Sequence, residues 1–286
     1  MKIAFYTQFH TMLQEKGIAE TVRYACEHGF SGVELYCDAV YDVSAIPDVK
    51  TAKEVRRVLD DSGLPMVCVS TAYDAVRCPD AVGAMKKYIE IAEALGSPFL
   101  HHTLLINPIL TDTEADIERK LTLAADAAVA IARAAKDHGL TCLYEDQGRY
   151  VNGVARFSRF FRDVQSRAEN VGVCGDLGNI LFADEKPEDF VKAFLGDIKH
   201  VHVKDYLHKN GPIAPGPIWK RTHAGNFLRN TVVGDGVVDL DACMRLLKEG
   251  GYSGAFALEL DHPEPIEGGI AQAMTRLHTF WEEERV

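Results

Sequence analysis

The chain has no C-x-x-C pair and no even set of cysteines. Its seven, Cys26, Cys37, Cys68, Cys78, Cys142, Cys174 and Cys243, leave at least one unpaired. Most sit inside apolar runs such as Val67-Cys68-Val69, where buried free thiols are common. This speaks against a disulfide framework and for a reducing cytoplasm. Long hydrophobic runs are missing too. No apolar stretch approaches the roughly 20 residues of a membrane helix. The start, Met1-Lys2-Ile3-Ala4-Phe5-Tyr6, turns polar too soon to be expected as a signal peptide. Positive charge is scarce: 31 Lys and Arg against 42 Asp and Glu give a net charge of −11. Phosphate binding needs clustered Lys and Arg to release counterions, so nucleic acid is not an expected partner. There is no linker or low-complexity segment. No G-x-G-x-x-G follows the first apolar run, which removes the usual signal of a dinucleotide-binding open sheet.

What is present is a regular alternation. The 286 residues suit one large α/β barrel or two modest domains. Strands are predicted over Lys2–Thr7, Gly32–Cys37, Pro65–Thr71, Phe99–Leu105, Thr141–Asp146, Val171–Gly178, Ile198–Asp205 and Gly254–Asp261. Each is rich in Val, Ile, Leu, Phe or Tyr and bounded by Gly, Pro or charge. Helices with an apolar stripe are predicted between them: Gly17–His28, Val49–Asp61, Asp80–Leu95, Asp112–His138, Ala155–Ser166, Pro187–Phe194, Asp239–Glu249 and Ile266–Glu284. Thr111 or Asp112 is the expected cap of the fourth. Many repeats close on a helix-ending Gly, as in Leu95-Gly96 and His138-Gly139. Eight alternations in one chain of this length point to a closed parallel barrel. The expected fold is therefore α/β, a (β/α)8 TIM barrel, with residues 1–286 as one domain. A doubly wound open sheet is the runner-up. A long irregular loop, 206–236, rich in Gly, Pro and His, follows strand seven, and a connection of that length is usually functional.

In such a barrel, chemistry sits where strands end. Strand five ends Tyr144-Glu145-Asp146, strand six Asp176-Leu177-Gly178-Asn179, strand seven His200-Val201-His202-Val203-Lys204-Asp205 and strand eight Leu258-Glu259-Leu260-Asp261-His262. Successive strand ends thus offer Glu145, Asp176, His202 and Glu259. Taken singly, each has a structural reading: a salt-bridged carboxylate, a cap, or a hydrogen-bonded barrel histidine. Together, carboxylate groups beside an apolar run such as Ala255-Phe256-Ala257-Leu258 would be costly without a cation. Three carboxylates and an imidazole suit one divalent ion, Mn, Mg, Co or Zn. Strand four adds His101 and His102, of which alternation turns one inward. His102, Asn179 and Arg221 are the candidate substrate contacts. Arg221 belongs to the run Trp219-Lys220-Arg221 with His223, which reads as a lid or anion clamp or as a solvated surface. Lys204 reads as a salt-bridged rim lysine, and Glu34 and Gln8 are placed to reach the mouth.

Several segments carry a family resemblance that runs nearly end to end. They are Gly29-Phe30-Ser31-Gly32-Val33-Glu34-Leu35, His200-Val201-His202-Val203-Lys204-Asp205, Gly234-Asp235-Gly236-Val237-Val238-Asp239, Gly251-Tyr252-Ser253-Gly254 and Leu258-Glu259. In order and spacing they resemble the xylose-isomerase-like TIM barrels. These are the sugar (phosphate) isomerase and epimerase group that includes inosose dehydratase, hydroxypyruvate isomerase and ketose 3-epimerases. The resemblance implies a metal on Glu145, Asp176, His202 and Glu259, with Glu145 and Glu259 also exchanging protons with the substrate carbon. Epimerases of that branch often carry a His three residues after the Asp ligand. Here that position is Asn179, and Asp-x-Gly-Asn also fits the dehydratase branch.

The expected activity is a metal-dependent isomerase or epimerase of a small sugar or sugar-like keto compound, acting by proton transfer through an enediolate. A dehydratase of the inosose or dehydroshikimate type shares that set of groups, and a non-catalytic sugar-binding barrel is the alternative of another class. An endonuclease acting at abasic DNA shares the barrel but needs a histidine-rich site for two or three metals and a basic face. The expected partner is a sugar or polyol-derived small molecule, with no membrane; a homo-oligomer stays open.

Overall fold

The computed structural model describes residues 1–106, 111–260 and 266–282. Among these, eight parallel strands close into a barrel. They are β1 (Lys2–Phe5), β2 (Gly32–Asp38), β3 (Met66–Ala72), β4 (Phe99–His102), β5 (Thr141–Tyr144), β6 (Val171–Asp176), β7 (Ile198–Val203) and β8 (Ala255–Leu258). Each strand pairs with the next in the chain. The ring closes at β1, where Lys2 to Phe5 lie opposite Ala255 to Leu258, and Ala4 and Phe5 opposite Gly32 and Val33. The expected (β/α)8 TIM barrel is the observed architecture.

Several strands stop short of their predicted ends: the fifth at Tyr144 instead of Asp146, the seventh at Val203 instead of Asp205. Glu145, Lys204 and Glu259 are therefore the first residues beyond their strands, leaving the barrel at its C-terminal mouth. Asp261 and His262, and Glu283 and Glu284 of the last predicted helix, lie outside the described residues.

The helices Val49–Asp61 and Pro187–Phe194 run as predicted, and the others differ by a residue or two at their ends. Several start on a side chain that accepts an otherwise unpaired backbone amide. Asp48, Asp80 and Asp239 take those of Thr51, Gly83 and Ala242. The helix Glu114–Lys136 opens not on Thr111 or Asp112 but on Thr113, which forms a reciprocal capping box with Asp116. Gly96 ends the helix Ala81–Leu95 at φ 73°, where a Cβ would be strained.

Alternation sorts the strand residues into two layers. Leu100, Cys142, Tyr144, Val173, Val201, Val203, Phe256 and Leu258 pack with helix residues in the main core. Cys68, Leu143 and Cys174 form a separate apolar cluster inside the barrel. All seven cysteines are free. No helix among the described residues is long and apolar enough to cross a membrane.

Some features were not expected. A helix, Phe9–Lys16, follows β1 at once. The segment after β7 is not irregular throughout, because Asp205–Lys209, Lys220–Arg221 and Phe227–Thr231 form a three-stranded antiparallel sheet. Asp205 ties down both ends of this excursion. Its carboxylate accepts the amides of Tyr206, Gly234, Gly236 and Val238 at 2.8–3.1 Å.

Candidate functional site

Strand parity brings the polar strand-end residues together. His202 is the fifth residue of β7, two beyond His200 on the same face. Asp176 ends β6, two beyond Cys174. Glu145 and Glu259 each continue the inward face of their strands, two residues after Leu143 and Ala257. The four meet around one atom. His202 Nδ1 lies 3.5 Å from Glu145 Oε2, 3.6 Å from Glu259 Oε2 and 4.0 Å from Asp176 Oδ2. Glu145, Asp176 and His202 are buried and present donor atoms within 4.8 Å of one another, a group able to hold a metal ion. Tyr6 stacks on the His202 ring, with centroids 4.9 Å apart.

The donor set fits a divalent cation. Glu145 Oε2 is buried without a hydrogen-bond partner, and three carboxylates crowd one imidazole. Asp176 is pinned through its other oxygen, since Oδ1 accepts the amides of Gly178 and Asn179 at 2.8 Å. Only Asp176 Oδ2 is turned inward.

Lys204 is a correction to the sequence reading. It is not a rim residue but is 5% exposed, and its ammonium lies 2.8 Å from Asp176 Oδ2 and 2.7 Å from Glu259 Oε1. Two residues after His202, it shares the inward face, and its polar partners were hidden on other strands. Gly178 makes room for it, since any Cβ there would run into the Lys204 stem. Burial works against its charge, but Asp176 and then Glu259 outweigh this and hold its pKa well above the usual lysine value. Asp146 behaves in the opposite way. Burial, then Asp176 and Glu145, push its carboxyl well above the ordinary range, and neither oxygen has a hydrogen-bond partner.

The candidate substrate contacts divide. Asn179 is at the site: its Oδ1 accepts from Lys204 Nζ at 3.3 Å, and its Nδ2 has no partner. His102 is on the other side of β4 from the cluster. It shares parity with Leu100 and packs edge-on against Tyr144 at 5.2 Å, with Nδ1 beside Thr103 O at 3.0 Å. His101 is the one of the pair turned inward, with Nε2 3.7 Å from Glu145 Oε1. Arg221 is exposed in the small antiparallel sheet, its guanidinium beside Gly225 in the turn rather than in the carboxylate group. Gln8 reaches the rim, where its amide donates to Leu260 O at 2.9 Å.

Glu34 lies deeper than the mouth. It is fully buried, and its two oxygens meet His200 Nε2 at 2.7 Å and His202 Nε2 at 3.0 Å. Ser70 donates to Glu34 and lies 2.9 Å from His101 Nδ1. Sequence reasoning passed over Ser70 and His200, although the spacing of His200 and His202 puts both on one face of a strand.

Comparison with known proteins bears on the fold and the family. An inosose dehydratase from Bacillus cereus (strain AH820) is 29% identical over 168 residues, covering 58% of this chain and 54% of that protein. The chain thus spans about half the length of the curated relatives it matches. A D-allulose 3-epimerase from Methylomonas sp. superposes with a TM-score of 0.73 at 15% identity, over 98% of both chains. A xylose isomerase-like TIM barrel protein from Mycobacterium smegmatis, in complex with magnesium, gives 0.72 at 18% identity, over 98% of this chain and 96% of that one. At these identities the structural likeness speaks to the fold alone. The family profile is more specific and matches residues 22–280, nearly the whole barrel. By that match the chain belongs to the xylose isomerase-like TIM barrel family.

Proposed function

We propose that this chain is a divalent-metal-dependent isomerase or epimerase of a small polyhydroxy ketone, acting by proton transfer next to the carbonyl. The observation that carries the reading is the convergence of Glu145, Asp176 and Glu259 on His202 Nδ1 at 3.5–4.0 Å. A divalent ion held by Glu145, Asp176, His202 and Glu259 would polarise the substrate carbonyl and offset the charge that builds on its oxygen. The remaining work falls to side chains. Glu145 takes the proton from the carbon beside the carbonyl, and the C–H electron pair becomes the new C=C bond as the carbonyl oxygen gains charge. Glu259, reaching in from β8 with β6 and β7 between it and β5, returns a proton. Return to the same carbon from the other face is epimerisation, and return to the neighbouring carbon is isomerisation. Lys204 is committed to Asp176, Glu259 and the Asn179 oxygen, which leaves the Asn179 amide nitrogen as the group that would donate to a substrate hydroxyl.

A second reading, dehydration, is favoured by the inosose dehydratase relatives and by Asn179 after the Asp-x-Gly turn. It uses the same first proton abstraction and then expels a β-hydroxyl as water. A panel of keto-sugars, inososes and dehydroshikimate incubated in D2O with metal-loaded protein tests both. Deuterium should enter at the carbon beside the carbonyl of at least one compound, with epimer, isomer or dehydrated product identifying the outcome. No exchange anywhere in the panel would favour the non-catalytic sugar-binding barrel.

A further inference from the structure

Glu34 has no role in the proton transfer proposed above, yet it is a fully buried carboxylate in direct contact with His202. Three groups converge on it: the Ser70 hydroxyl, His200 Nε2 at 2.7 Å and His202 Nε2 at 3.0 Å. Oε1 is shared by the Ser70 hydroxyl and His202 Nε2, and Oε2 faces His200 Nε2, so all three contacts suit a carboxylate acting as acceptor. In that arrangement Nε2 of His202 carries the proton. In a neutral imidazole the other nitrogen then presents its lone pair. That nitrogen, Nδ1, is the one facing Glu145, Asp176 and Glu259. The accounting extends to Ser70. Its single proton goes to Glu34, so His101 Nδ1 donates to the Ser70 oxygen and helps to hold it. His200 occupies the second Glu34 oxygen, which keeps the carboxylate from turning away.

We propose that Glu34 is the positioning residue of the metal centre: it fixes His202 in the Nε2–H form, so that Nδ1 is presented as the donor to the Glu145–Asp176–Glu259 group. The inference rests on the metal reading above. A carboxylate behind a ligating imidazole fixes its orientation and raises its basicity, and its loss typically weakens metal binding about 10- to 100-fold.

The test uses zinc, which is diamagnetic, and the intact chain. Zinc affinity is measured by chelator competition for wild type, Glu34→Gln and Ser70→Ala, and the His202 ring nitrogens are read by 15N NMR in the zinc-loaded wild type. The expected results are an affinity about 10- to 100-fold lower in Glu34→Gln, a smaller loss in Ser70→Ala, and a His202 protonated at Nε2 with a downfield ring proton. A folded Glu34→Gln protein that binds zinc as tightly as wild type overturns the proposal alone. So does a wild type whose zinc-bound His202 carries its proton on Nδ1. A wild type that binds no zinc overturns the metal reading and this proposal with it. Should Glu34→Gln fail to fold, Ser70→Ala and the wild-type spectrum decide: unchanged affinity in Ser70→Ala, or an Nδ1 proton in wild type, overturns the assignment.

Discussion

Glu145→Gln and Glu259→Gln proteins are each expected to turn over substrate about 10²- to 10⁴-fold more slowly than wild type while keeping its fold, the range typical of a lost general acid or base. Glutamine keeps the size and one oxygen of the side chain but cannot take up a proton. Both positions lie at the mouth on the inward face, and both carboxylates reach His202 Nδ1. The rival account makes them ligands only and assigns the base to another group. His102 is poorly placed for that role, packed against Tyr144 outside the barrel ring. His101 is the nearer candidate, at 3.7 Å from Glu145. Burial above all lowers its pKa to about 3, which leaves it neutral but a weak base. Hydrogen exchange at the substrate carbon separates the accounts. If both metal-loaded Gln variants exchange that hydrogen at the wild-type rate, the carboxylate pair is not the proton-transfer machinery.

The second large effect concerns Lys204. In metal-free protein, Lys204→Met should lower stability by about 3–5 kcal/mol, the usual cost of removing one partner from a buried ion pair. Asp176 and Glu259 would then face each other and Glu145 without the ammonium that now sits 2.8 and 2.7 Å from them. Added divalent ion should restore the variant more than it stabilises wild type, because it supplies the missing positive charge and ligand binding shifts folding by mass action. Thermal melts with and without metal are the measurement. A metal-free Lys204→Met protein that melts with wild type would show that Lys204 does not hold the carboxylates together.

Much of the fold was legible because hydrophobic period and glycine placement are local signals. Val49–Asp61 and Pro187–Phe194 could be read to the residue, since an apolar stripe and a clear start or stop lie within each segment. The small sheet after β7 was not, because its strands are short and depend on Asp205 gathering amides from residues 29 and 31 positions away. The strand ends pointed to Glu145, Asp176, His202 and Glu259 as a group, since barrel geometry converts sequence order into proximity. Choosing between His101 and His102 needed the register of β4, as one residue of slip exchanges the two faces. The roles of Lys204, Ser70 and Glu34 were hidden for a related reason. Each is defined by partners on other strands, and an isolated Lys, Ser or Glu in a strand carries no mark of what it will face.

The metal centre itself is tested most directly by the metal content of purified wild-type protein beside Asp176→Ala. Both would be loaded with the same divalent ion and freed of excess by gel filtration. Asp176 is the clearest position to change, because it has one oxygen committed to the turn at Gly178 and Asn179 and one directed at the cluster. The account predicts about one ion per wild-type chain and a small fraction of that in the variant, as expected for three carboxylates and an imidazole acting as one donor set. Equal metal content in the two proteins would contradict it.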